Sequence, residues 1–74
     1  MRRDELMSVV VDGPIEGEPS MFLPCAELQE LLEAALSGLE LGAWDRRIVA
    51  WLAGWETSTV VAIASWLRRS RLPM

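Results

Sequence analysis

The sequence predicts an all-α fold: a small three-helix unit with a helix-turn-helix-like C-terminal hairpin and a flexible N-terminal arm. Three observations carry that expectation. Leu28, Leu31, Leu32, Ala35, Leu36 and Leu39 recur at steps of three and four, the spacing that makes one apolar stripe on a helix. Gly38, Gly42 and Gly54 punctuate the second half of the chain, where helices stop and turns begin. Residues 1–22 contain Gly13, Pro14, Gly17 and Pro19, the composition of a loop. The expected division is a flexible acidic arm over residues 1–22 and a three-helix domain over residues 23–72.

A chain of 74 residues makes one domain at most, and domains this small bury only about 60% of their unfolded surface. Hydrophobic residues are 51% of this chain, which compensates for its size. Four of them are tryptophans, Trp44, Trp51, Trp55 and Trp66. Each could bury roughly 150–250 Å², so they are expected to carry much of the core.

Within the arm, Ser8-Val9-Val10-Val11 has the β-branched content of a short strand, and Asp12-Gly13-Pro14 ends it at once. A lone strand has nothing to pair with. The expectation is therefore an unstructured segment, the alternative being a strand paired with its counterpart in a second subunit.

The first helix is expected over residues 24–37. Proline suits the first helical position, where its missing N–H would have no partner anyway. Glu27, Glu30 and Glu33 lie off the leucine stripe, and acids near a helix N-terminus favour its dipole. The second helix is expected over residues 44–54, with Trp44, Ile48, Trp51 and Trp55 on one inward face. Ala50 and Ala53 on its other side would let a neighbour approach closely. The third is expected to start after Glu56-Thr57-Ser58, with Thr57 or Ser58 as the N-cap, and to run to about Arg69. Arg68, Arg69 and Arg71 would stand where the dipole favours cations, and Pro73 would stop any continuation.

The third helix is the most informative stretch. Val60, Val61, Ala62, Ile63, Ala64, Trp66 and Leu67 are apolar all round the cylinder, and such a helix expects neighbours on every side. Another chain, a lipid surface or the N-terminal arm could supply the missing cover. Val61, Ala62 and Trp66 are the residues expected to meet a partner.

Composition excludes several functions. Histidine is absent and Cys25 is the only cysteine, so there is no Ser–His or Cys–His pair, no internal disulfide and no thiolate zinc cluster. Cys25 at a helix start could be an activated thiol, but a small half-buried residue is the preferred reading. Steps of three on an outward helix face put Glu27, Glu30 and Glu33 in water, away from the cleft that acid/base work requires. No enzymatic activity, cofactor or small-molecule substrate is expected. The lone cysteine favours a reducing, cytoplasmic setting over secretion. The longest apolar run, residues 60–67, is far short of the ~20 residues of a membrane span, so a membrane partner is not favoured.

Charge is uneven. Residues 1–40 hold nine acids against two arginines, a net of −7, and residues 41–74 a net of +3, together the −4 of the whole chain. The chain as a whole would repel nucleic acid, while its C-terminal end could attract an anion.

Residues 46–65 place Ala50, Gly54, Val60 and Ile63 where a helix-turn-helix sets its small packing residue, its turn glycine and two core positions. In that frame Glu56, Thr57, Ser58, Val61, Ala62 and Ser65 would face outward. None is the arginine, asparagine or glutamine that reads base edges. Arg68, Arg69 and Arg71 could contact phosphates but would carry no sequence information. An ordinary helical hairpin is the preferred reading. Trp51 and Trp55, one turn apart, could offer a stacking surface for a base, with core packing preferred.

Asp45-Arg46-Arg47-Ile48, Trp51-Leu52-Ala53-Gly54-Trp55-Glu56-Thr57 and Thr59-Val60 resemble a pattern in short proteins of actinobacteria and their phages. The resemblance covers under half the chain and implies a source without an activity. It agrees with the lack of lysine, asparagine and tyrosine, whose codons are AT-rich. The functional expectation is a small regulatory or adaptor protein that associates through its helices with itself or another protein, the alternative being a helix-turn-helix DNA-binding regulator.

Overall fold

A computed structural model describes residues 8–71 of the chain. Among these residues three helices follow one another, α1 (Cys25–Ala35), α2 (Ala43–Leu52) and α3 (Thr57–Ser70). Among the described residues there is no strand. Residues 1–7 of the expected arm, and Pro73 as the expected stop, lie outside the described residues.

α1 forms as its periodicity requires. Pro24 stands just before it in extended conformation, and its carbonyl accepts the N–H groups of Glu27 and Leu28, both at 3.0 Å. Leu28, Leu31, Leu32 and Ala35 fall on one face and are all buried. The helix ends two residues sooner than the spacing suggests, because residues 36–38 turn and Gly38 takes φ +93, a left-handed conformation that glycine adopts without a Cβ penalty.

Arg71 closes this end from across the molecule. Its guanidinium donates to the Ala35 carbonyl at 2.8 Å and the Ser37 carbonyl at 2.5 Å, satisfying acceptors that a helix C-terminus leaves open. A Cβ on Gly38 would lie 3.0 Å from that guanidinium, so the glycine serves the turn and the cap together.

At the other end the Thr57 hydroxyl accepts the Leu23 N–H at 3.1 Å and donates to the Leu23 carbonyl at 3.3 Å. The N-termini of α1 and α3 are thus tied together, and so are their C-termini. The two helices run parallel as the main packed pair, and α2 returns between them in sequence, packed chiefly on α1. α2 starts where the Asp45 carboxylate accepts the Gly42 N–H at 2.9 Å, a local brace that also suits the helix dipole.

The expected cap of α3 is corrected. Glu56 occupies the N-cap position without a side-chain bond. Thr57 turns inward to Leu23, and Ser58 donates to the Glu18 carboxylate at 3.1 Å. Tertiary partners have taken the hydroxyls that local capping would have used.

Leu31, Leu32, Val60 and Ala64 fill the core with Leu28, Val49, Ala53 and Val61, and Val10 and Leu23 join them from the N-terminal segment. Residues 8–23 lie along α3 with neither helix nor strand. The Ser65 hydroxyl, fully buried, donates to the Val11 carbonyl at 2.6 Å and accepts from Arg69 Nε at 3.1 Å. Arg68 pairs with Asp12 at 2.9 Å. Much of the apolar surface of α3 is therefore met inside the chain, by α1 on one side and by residues 10–23 on another, while Trp66 stays exposed.

The tryptophans do not build this core. All four are exposed, Trp44 at 67%, Trp51 at 59%, Trp66 at 58% and Trp55 at 48%. The interior is made instead of leucine, valine and alanine, whose smaller side chains let α1 and α3 approach closely.

Candidate interaction surface

α2 is where expectation and structure diverge most. At about 3.6 residues per turn, Trp44, Ile48 and Trp51 share one edge of the cylinder, Leu52 and Asp45 come next, and Val49 and Ala53 lie beyond. That apolar arc is too wide for a single contact. The fold uses its far side: Val49 and Ala53 are buried and Leu52 half-buried. The tryptophan edge, expected to face inward, is left on the surface.

The exposed edge has internal order. Trp51 and Trp55 meet edge to face, with ring centroids 5.5 Å apart and an interplanar angle of 80°, a favoured aromatic geometry. The Arg47 guanidinium sits 5.6 Å from the centre of the Trp44 ring, within cation–π range. Arg47 flanks the ridge on its outer side, while Arg46 lies round the helix beside Ala53.

On its inner side the ridge borders an open apolar groove between α2 and the α1/α3 pair. Leu36, Leu39, Leu41, Ile48, Ile63 and Leu67 supply much of its wall. Glu40 and Asp45 are the acids at its edge. Leu39 is 57% exposed, so the groove continues the ridge as one apolar face.

The residues expected to meet a partner on α3 are dispersed. Val61 is 1% exposed and belongs to the core. Ala62 is half-buried beside residues 15–19. Only Trp66 is exposed, next to Ile15 on a shallow surface.

The three arginines proposed for phosphate are likewise not gathered into one site. Arg68 holds Asp12, Arg69 holds Ser65 and Arg71 holds the end of α1. Cys25 is exposed rather than half-buried. Among the described residues, no group of three or more His, Cys, Asp or Glu side chains could hold a metal ion.

The helix-turn-helix frame meets the same geometry. α2 and α3 are joined by the short link 53–56, but both pack on α1 more than on each other. Ala50, assigned to the packed position, is exposed, while Ala53 is buried. Of the six residues expected to face outward, Thr57, Val61 and Ser65 are buried, and residues 10–23 cover that side.

One signal for this surface was present in the sequence. The width of the α2 apolar arc shows that one of its sides must stay free, and packing against α1 decides which. The Arg71 cap has no local signature. Compared with known proteins, the chain matches no family model, no curated protein and no solved structure.

Proposed function

We propose that the chain is a small, non-enzymatic regulatory or adaptor protein that works by helix-mediated association, with α2 as its binding face. One observation carries this reading: Trp44, Ile48 and Trp51 stand exposed on one side of α2 beside an apolar groove, with the exposed Trp55 against Trp51 just past the helix end. Tryptophan and arginine are the residues that most often dominate binding energy at protein interfaces. The exposed parts of the three rings amount to about 300–400 Å² on the ~150–250 Å² that a large aromatic can bury. Exposed apolar area of that order matches the largest patch of a typical monomer, which is often functional.

Among the described residues no helix is long and apolar enough to cross a membrane. The single cysteine is consistent with action in a reducing cytoplasm. DNA binding by a helix-turn-helix is the weaker alternative. The short link between α2 and α3 favours it, but residues 10–23 would first have to leave α3.

A photo-reactive benzoylphenylalanine placed at residue 51 tests the proposal in the cell that makes the protein. The same group at residue 26, on the exposed side of α1, is the control. A discrete protein adduct from residue 51 and none from residue 26 is the expected result. Equal yields at both positions, or none at either, would overturn it.

A further inference from the structure

We propose that the side of α3 bearing Ser65 and Arg68 is a binding site for an extended peptide segment of another protein, which the chain keeps closed with its own Val10-Val11-Asp12. The site is separate from the α2 face, since none of its residues lies on α2. The segment seated there shows what the site takes. Val10 is 5% exposed and belongs to the core cluster. The Val11 carbonyl accepts the Ser65 hydroxyl at 2.6 Å, and the Asp12 carboxylate meets Arg68 Nε at 2.9 Å. Consecutive residues thus supply an apolar side chain, a main-chain acceptor and an acid.

Peptide sites hold their ligand by its main chain and select it by the side chains on either side. The contacts here define the ligand class: an extended segment with a small apolar residue followed two positions later by Asp or Glu. The α3 side of the site is built to meet it. Ser65 is fully buried, and Arg69 Nε donates to its oxygen at 3.1 Å. With that oxygen already accepting, the hydroxyl proton is left to donate to the peptide carbonyl.

The internal segment is placed to give way. Residues 8–22 form neither helix nor strand, and Val10 alone among them is buried. Gly13 and Gly17 have open space around them, so the stretch leading to the Leu23–Thr57 tie has room to swing. Departure leaves the site satisfied. A helical serine can turn its hydroxyl to the carbonyl four residues back, here that of Val61, and the Arg68 side chain is already 35% exposed to water. A tether of this kind presents its own ligand at an effective concentration on the order of millimolar. A partner must bind more tightly than that or arrive in excess, so the segment sets a threshold.

The probe is a synthetic peptide of residues 8–14 with blocked ends, added to the full chain while NMR follows the amide signals of residues 65–69. A Val10→Asp chain, whose own segment no longer seats, should take the peptide well below the concentration that the wild-type chain requires. The same peptide carrying Val10→Asp should bind at least about tenfold more weakly, the worth of one buried valine. An Arg68→Asp chain keeps every buried side chain and sets acid against Asp12. It should prefer a peptide carrying Asp12→Arg over the wild-type peptide by about threefold, and by less at high salt.

No response of residues 65–69 in either variant at about 5 mM peptide, above the effective concentration of the tether, overturns the inference. Equal binding of the two peptides by either chain does so too. If Val10→Asp does not fold, the charge exchange at Arg68 alone decides. A wild-type dimer that the peptide splits gives the site to residues 10–12 of a second copy and overturns its assignment to a different protein. Capture at residue 51, which tests the α2 face, bears on none of these outcomes.

Discussion

α3 and α2 are both rich in apolar residues, yet the fold treats them oppositely. α3 is apolar on every side and is largely covered within the chain, by α1 along Val60 and Ala64 and by residues 10–23 along Thr57, Val61 and Ser65, with Trp66 left out. α2 carries the larger side chains but turns a narrow strip, Val49 and Ala53, to the core. Burial in a domain this small is decided by how many neighbours a helix can be given. Close approach of two helices favours leucine, valine and alanine, and bulky rings cannot enter without forcing the helices apart. The larger aromatic surface is thereby left exposed.

The comparison breaks most sharply with one pair of substitutions. Leu31 is fully buried between the helices, so Leu31→Ala should cost about 2–5 kcal/mol. A core of this size rarely supplies more than about 3–5 kcal/mol, and the variant should be largely unfolded in a urea titration. Trp44→Ala, measured at a concentration where the chain is monomeric, should change stability by less than about 0.5 kcal/mol. Similar losses from the two would mean that the ring is part of the core after all.

A second test concerns the sheath. Ser65→Ala leaves the Val11 carbonyl without its donor and Arg69 without its acceptor, at a cost of about 1–3 kcal/mol. Exchange of amide hydrogens in residues 8–23 should quicken with it. Unchanged exchange would show that Val10 and Leu23 hold the segment unaided.

Smaller effects follow at the helix ends. Arg71→Ala removes two charge-assisted bonds from the end of α1 and should cost about 1 kcal/mol at this exposed position. Arg71→Lys should recover little of it, because a point charge cannot reproduce the guanidinium fork. The least is expected of Asp12→Asn. The Asp12–Arg68 pair is 59% and 35% exposed, so its loss should cost about 0–1 kcal/mol and less at high salt.

Sequence periodicity by itself determined the helical class, the three helices of the described residues and the leucine face of α1, because those follow from local spacing, glycine stops and the absence of strand pairing partners. The need of α3 for cover on several sides was equally legible in residues 60–67. Which side of α2 would be buried was not, since Trp44/Ile48/Trp51 and Val49/Leu52/Ala53 are both apolar strips and only packing against α1 chooses between them. Nor could spacing show that Thr57 would bond Leu23, that Ser65 would hold Val11, or that Arg71 would close α1. Those bonds join residues 34 to 54 positions apart, and a hydroxyl or guanidinium near a helix end has a local partner available too. Tertiary structure decided which partner was taken, and with it which apolar surface stayed open.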